Sequence, residues 1–214
     1  MKKIFFLFFL LTIAPQCKAQ FLNSIGITAG VSAGNQKFHF KDPIVISRKK
    51  YVFGFNASFF AEFFSYDHIR WVSEIQYNQK GSVDKQPDGN NYPNHLQYLC
   101  WNNYLKWRYE MYRIIPYILL GPRLEYNLTQ STTSPDITSK FLKLHVSPAV
   151  GAGLEFVSYT NFKFLVEGFY NPDLIMPAYI KPEMHAFNKN FELRLGLKYE
   201  FGGPENCNTP VYTE

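Results

Sequence analysis

Cysteine is scarce in this chain, with three in 214 residues, at positions 17, 100 and 207. A scaffold stapled by disulfides is therefore excluded, even for an oxidising compartment. The chain also lacks any apolar run near the roughly 20 residues that a membrane-spanning helix needs. Its longest run, Ile4 to Ala14, has about 11 residues. No segment sustains a 3.6-residue apolar period over helical length, which excludes helical bundles and coiled coils. Low-complexity tracts are absent as well. So are a GxSxG elbow, a phosphate-cradling glycine loop and an HExxH helix.

The short apolar run is preceded by Lys2 and Lys3 and followed by Cys17, Lys18 and Ala19, with small residues at the usual cleavage positions. This pattern predicts a signal peptide over residues 1–19. Pro15 and Gln16 fit poorly in front of an acylated cysteine, which argues against a lipoprotein. Cleavage removes three of the 22 basic residues, leaving 19 against 17 acidic ones, a net charge of +2. With that balance, and no basic stripe interleaved with aromatics, a nucleic-acid partner is not expected. Residues 20–201 read as one domain. Residues 202–214, with Gly202, Gly203, Pro204 and Pro210, read as a flexible periplasmic tail.

What the chain does have is period-two alternation. It predicts strands near residues 24–34, 51–64, 69–79, 96–108, 114–127, 142–157, 162–171 and 190–201. The gaps between them run about 16, 4, 16, 5, 14, 4 and 18 residues. Alternating long and short connections are the mark of an eight-stranded antiparallel barrel of the outer membrane, an up-and-down meander with short periplasmic turns and long outer loops. Alternation alone also fits a soluble lipocalin-like barrel. The sizes on the two faces separate the two. One face gathers Phe53, Phe55, Phe59, Trp71, Trp101, Leu105, Trp107, Leu193 and Leu195 among others, far too much bulk for the lumen of eight strands. The other carries Gly26, Gly30, Gly54, Gly121, Gly151 and Gly153 beside charged residues. Small and charged side chains are expected inside.

The inward set is Glu62, Arg70, Glu74, Lys106, Arg108, Arg123, Glu125, Lys143, Glu155, Lys163, Glu167, Glu192, Arg194, Lys198 and Glu200, eight basic against seven acidic. Charges removed from water must be paired, so a polar network built on Arg70, Glu74, Lys106, Arg123, Glu125, Glu155, Glu167 and Arg194 is expected to plug the lumen. The loops are expected near residues 35–50, 80–95, 128–141 and 172–189. The first carries Arg48, Lys49 and Lys50, cations suited to lipopolysaccharide phosphates. Cys100 falls in the outer half of the barrel wall and Cys207 after the last strand on the periplasmic side, so they are not expected to pair.

His145, Ser147 and Glu125 share the inward face and have the residue types of an acyl-transfer set, but a nucleophile inside a filled lumen offers no access to an acyl chain. His39, His95 and His185 fall on three loops without metal-ligand spacing. No catalytic residue, metal or cofactor is assigned. Lipid-modifying enzyme remains the competing class.

Ile25 to Gly30, Trp71 to Gly81, Pro116 to Pro122, Val150 to Phe156 and Phe191 to Phe201 resemble, in order, strands one, three, five, six and eight of the PorT-like outer-membrane barrels of Bacteroidetes. The fourth strand departs from that pattern at Leu99-Cys100-Trp101-Asn102, and the seventh at Phe169-Tyr170. The resemblance implies an outer-membrane barrel and points toward an accessory role in type IX secretion. The barrel itself is expected to act by binding or assembly in the envelope, with outer-membrane lipid, lipopolysaccharide and envelope or secretion proteins as partners.

Overall fold

The computed structural model describes residues 21–40, 48–64, 68–85, 91–132, 143–158, 160–172, 178–181 and 184–201, with some side chains at the outer strand tips left out. Every described element is β. The strands are β1 (Leu22–Phe40), β2 (Arg48–Phe63), β3 (Ile69–Lys85), β4 (Asn91–Arg108), β5 (Ile114–Thr132), β6 (Leu144–Phe156), β7 (Phe162–Pro172), β8 (Ala178–Lys181) and β9 (Met184–Glu200). Consecutive strands pair antiparallel from β1 to β7, β7 pairs with β9, and β9 returns to β1 from Ser24↔Glu200 to Phe40↔Met184. Eight strands thus close a barrel with no edge in its wall. The ninth, β8, is a four-residue addition to the upper end of β9.

Alternation in sequence becomes alternation in exposure. Along β6, exposed Leu144, Val146, Val150 and Leu154 take turns with buried His145, Ser147, Ala149 and Glu155. The outward residues are the large apolar ones: Trp107 is 65% exposed, Leu195 64% and Phe164 61%. Such a surface is stable only in contact with hydrocarbon.

The strands are longer than the pattern predicts. β1 runs to Phe40, β3 to Lys85, β4 begins at Asn91, β5 runs to Thr132 and β9 begins at Met184, so much of the expected loop sequence is strand. Above the lipid the outward face meets water. The apolar rhythm then disappears while the backbone ladder continues. Lys143 is exposed, just before β6 begins, and does not point inward. Lys80, expected in a loop, is an inward residue of β3 and only 4% exposed.

Small and charged residues do not account for the whole lumen. Phe60, Val72, Tyr104, Tyr117, Leu119, Ala149, Leu165 and Phe169 form a buried apolar cluster inside it. Room for the rings comes from glycines directly across the ladder: Gly26 opposite Phe60, Gly153 opposite Tyr117 and Gly151 opposite Phe169. A Cβ on Gly153 would stand 2.5 Å from the Tyr117 ring, and one on Gly151 2.5 Å from the Phe169 ring. Each ring lies flat where a side chain would otherwise stand, the device by which aromatics cover sheet glycines.

Candidate functional site

The lumen is the most elaborate arrangement of functional groups in the chain, and it is layered. At the end of the short turns, Glu62 accepts from Ser24 Oγ at 2.9 Å, Arg70 Nη1 at 3.0 Å, Lys106 Nζ at 2.5 Å and Lys198 Nζ at 3.2 Å. Glu155 shares Lys106 and takes Lys198 at 2.8 Å. Glu200 takes Arg70 at 2.7 Å and Lys163 at 2.5 Å. Lys106 and Lys198 thus bridge Glu62 and Glu155, and Arg70 links Glu62 to Glu200.

At mid-height Arg194 joins Glu74 at 2.8 Å and Glu167 at 3.3 Å. Its guanidinium lies 3.9 Å from the centroid of the Phe169 ring, and Lys106 Nζ lies 4.0 Å from that of Tyr117. Both are cation–π distances. The apolar cluster and the ion pairs are therefore one interdigitated packing. Tyr117 Oη donates to Glu167 at 2.7 Å, and Asn102 Nδ2 donates to Glu74 at 2.6 Å.

Toward the long-loop end, Glu192 accepts from Gln76, Asn78, Arg123, Asn171 and Asn190 at 2.7 to 2.9 Å. Glu125 meets Lys80 at 2.6 Å, Arg123 Nε at 2.7 Å and His145 Nε2 at 2.8 Å. The eight residues expected to form the polar network all lie here, buried, and in contact with an opposite charge. Sequence reasoning missed the amides. Asn56, Gln76, Asn78, Asn102, Asn171 and Asn190 are all buried, on inward parity, which was the signal available for them.

The acyl-transfer set is half assembled. Glu125 and His145 are opposite each other and paired, but Ser147 Oγ has no hydrogen-bond partner among the described residues and lies at 1% exposure inside the barrel. Cys100 is completely buried in the lumen, its Sγ accepting from Arg123 Nη2 at 3.1 Å. Cys207 lies outside the described residues. His39 and His185, expected on separate loops, are register partners on β1 and β9, while His95 is an exposed residue of β4. No metal-holding cluster occurs among the described residues. Arg48, Lys49 and Lys50 open β2 opposite Lys85, Asp84 and Val83, and their side chains lie outside the described residues.

The profile of the outer membrane protein beta-barrel domain family matches residues 18–175. The chain belongs to that family. As a member of it, the protein is a small eight-stranded barrel of the outer membrane. The fold is similar to that of the outer membrane protein OprG from Pseudomonas aeruginosa, with a TM-score of 0.57 at 10% identity over 85% of this chain and 97% of that one. It is also similar to the solid-state NMR structure of the outer membrane protein AlkL in DMPC bilayers, with a TM-score of 0.51 at 14% identity over 84% and 91%. No curated protein sequence matches the chain.

Proposed function

We propose that this outer-membrane barrel does not conduct, and that it works as a binding or assembly component of the envelope through its outer strands and periplasmic face. The observation that carries this reading is the lumen. Ion pairs and rings fill it in successive layers, with Arg108, Arg123, Arg194, Lys163 and Lys198 all below 3% exposure. Opening a water path through such a set would separate buried charges, each costing several kcal/mol. The enzyme reading is disfavoured by Ser147, which faces that packed interior and away from lipid. In the domain reading that accompanies the proposal, residues 1–19 direct export, residues 20–201 are the barrel and residues 202–214 are a periplasmic extension.

The finer reading makes this a PorT-like member and an accessory of type IX secretion. Its support is the ordered resemblance of five strand motifs. A separate proposal concerns Arg48, Lys49 and Lys50, at the outer start of β2: they meet lipopolysaccharide phosphates. Neutralising all three is expected to lower affinity for lipopolysaccharide micelles, and unchanged binding refutes that contact.

Two measurements test the main reading. The full chain inserted in planar bilayers is expected to give no steady channel, and a reproducible ohmic conductance would refute it. Purification from native membranes in mild detergent is expected to retain envelope proteins, with secretion components supporting the finer reading. A converted lipid product in the same preparation would overturn the binding role in favour of an enzyme.

A further inference from the structure

One stretch of the lipid-facing wall is not convex. Trp107, Ile118, Ala152, Gly168 and Leu193 are successive register partners across β4, β5, β6, β7 and β9, so they form one outward row around the barrel. Trp107, Ile118 and Leu193 stand proud, at 65%, 54% and 58% exposure. Between them Ala152 has only a methyl group, and Gly168 has nothing: a Cβ there would meet no atom within 4 Å. The result is a groove of about 610 Å³, continued along the strands by Leu154. Its rims, on β5 and β9, are three strand spacings apart, roughly 14 Å.

The groove runs from mid-height, at Gly168 and Leu193, to the end of the wall nearest the short turns, at Trp107 and Tyr109; those turns face the periplasm in bacterial barrels. Trp107 is followed by Arg108, the last residue of β4, and then by Tyr109 and the β4–β5 turn. Arg113, in the β4–β5 turn, sits three residues before Pro116, which lines the groove, at most about 10 Å along the chain. It is exposed, its carbonyl accepts from Val157 N at 3.0 Å, and its guanidinium lies 5.4 Å from the Tyr112 ring centroid. Among the described residues no carboxylate pairs with it. Tyr109 and Tyr112 beside it are 62% and 73% exposed, amphipathic rings of the kind that sit at headgroup level.

We propose that this groove is a site for one glycerophospholipid of the periplasmic leaflet, an acyl chain lying over Ala152 and Gly168 and the phosphate paired with Arg113. The lining of the groove is predominantly apolar, although Arg108 and Glu167 also contribute to it, so an apolar occupant best restores the contacts that Ala152 and Gly168 leave unmade. A flexible chain can follow a concave strip between Ile118 and Leu193. A second barrel would present a convex wall of large side chains. The cation at the open end fixes the orientation and selects phosphate chemistry. Lipopolysaccharide is disfavoured as the source because Arg113 stands at the periplasmic boundary.

The test is native mass spectrometry of the full chain in mild detergent with equimolar palmitoyl-oleoyl phosphatidylglycerol and phosphatidylethanolamine. One phospholipid adduct is expected to survive collisional activation. Filling the groove with Ala152→Leu and Gly168→Leu together is expected to reduce the adduct at least fivefold, and Arg113→Gln alone severalfold. All three substitutions point outward or lie in the turn, so heat-modifiable gel mobility should still report a folded barrel. As a second readout, Trp107 fluorescence should be quenched by a bromine-labelled acyl chain in the parent and less in the filled variant. An adduct that survives filling of the groove overturns the proposal. So does one insensitive to Arg113, or a chain dimer that filling abolishes.

Discussion

Glu62 offers the sharpest test of how the lumen is held. It is completely buried and meets three cations, Arg70, Lys106 and Lys198, at 2.5 to 3.2 Å, besides the Ser24 hydroxyl. Glu62→Gln keeps the shape, removes the charge and turns an amide donor toward cations. Each contact is on the order of 4 kcal/mol gross at an effective dielectric near 20, so the three together approach about 12 kcal/mol. Most of this is offset by the desolvation that the carboxylate no longer suffers, and by partners the cations keep: Glu155 for both lysines and Glu200 for Arg70. The net loss expected for breaking a buried cluster on one side is about 3–5 kcal/mol. Ser24→Ala removes one hydrogen bond to a charged group and is expected to cost about 1.5–3 kcal/mol. Urea unfolding from a bilayer, read by tryptophan fluorescence and gel mobility, should show a lowered midpoint with unchanged slope. Adding Lys198→Met to Glu62→Gln should recover part of the loss, a coupling of about 0.5–3 kcal/mol. A Glu62→Gln protein within about 0.5 kcal/mol of the parent, the range of ordinary surface changes, would refute the claim that ion pairing holds the lumen together.

Other parts of the wall make their own predictions. Gly153→Leu drives a side chain into the Tyr117 ring and the Val166 carbonyl and should lower stability by about 1–3 kcal/mol in the same assay. Leu120→Arg places a charge in the lipid-facing band and is expected to cost about 2–4 kcal/mol, whereas Tyr109→Arg at the periplasmic boundary should cost about 0–1 kcal/mol; equal costs would refute the assigned depth. Asn103 faces outward on β4 between Trp101 and Leu105, opposite Ser73, and has no side-chain partner among the described residues, while Trp101 Nε1 donates to Ser73 at 3.0 Å. Asn103→Leu should therefore stabilise the barrel by about 1–2 kcal/mol, and a loss of stability would show that the amide has work in the wall.

The barrel was legible in the chain because lipid imposes a strict rule on every second residue. Where Leu144 to Phe156 alternates in sequence it alternates in exposure, and the charged parity of Glu155, Lys163, Glu167 and Arg194 leads directly to the lumen. Two things were not legible for physical reasons. Strand continuation beyond the membrane rests on backbone hydrogen bonds, which leave no apolar rhythm, so the pattern leaves Lys80 in an expected loop although it reaches Glu125. Phe60, Tyr117 and Phe169 are the same residue types that face lipid. Only parity, together with a glycine directly across the ladder from each, marks them as inward. That pairing is a usable signal: an inward aromatic opposite an inward glycine predicts a ring lying against the wall.

The same register shows how the barrel is organised above the lipid. The described β1–β2 pairs end at Gly34↔Val52, while β1 continues with β9 to Phe40↔Met184 and β2 pairs with β3 from Arg48↔Lys85. Among the described residues, then, the wall divides into a β8–β9–β1 ribbon and a β2–β3–β4–β5 ribbon, each with an edge that the membrane-embedded part lacks. Within the bilayer an open edge would leave backbone groups without partners. Above it, water satisfies them and a partner strand can replace water at little cost. The closed, charge-filled lower barrel therefore fixes the roots of two ribbons whose described upper edges offer backbone groups that a partner strand could pair with under the binding role proposed above.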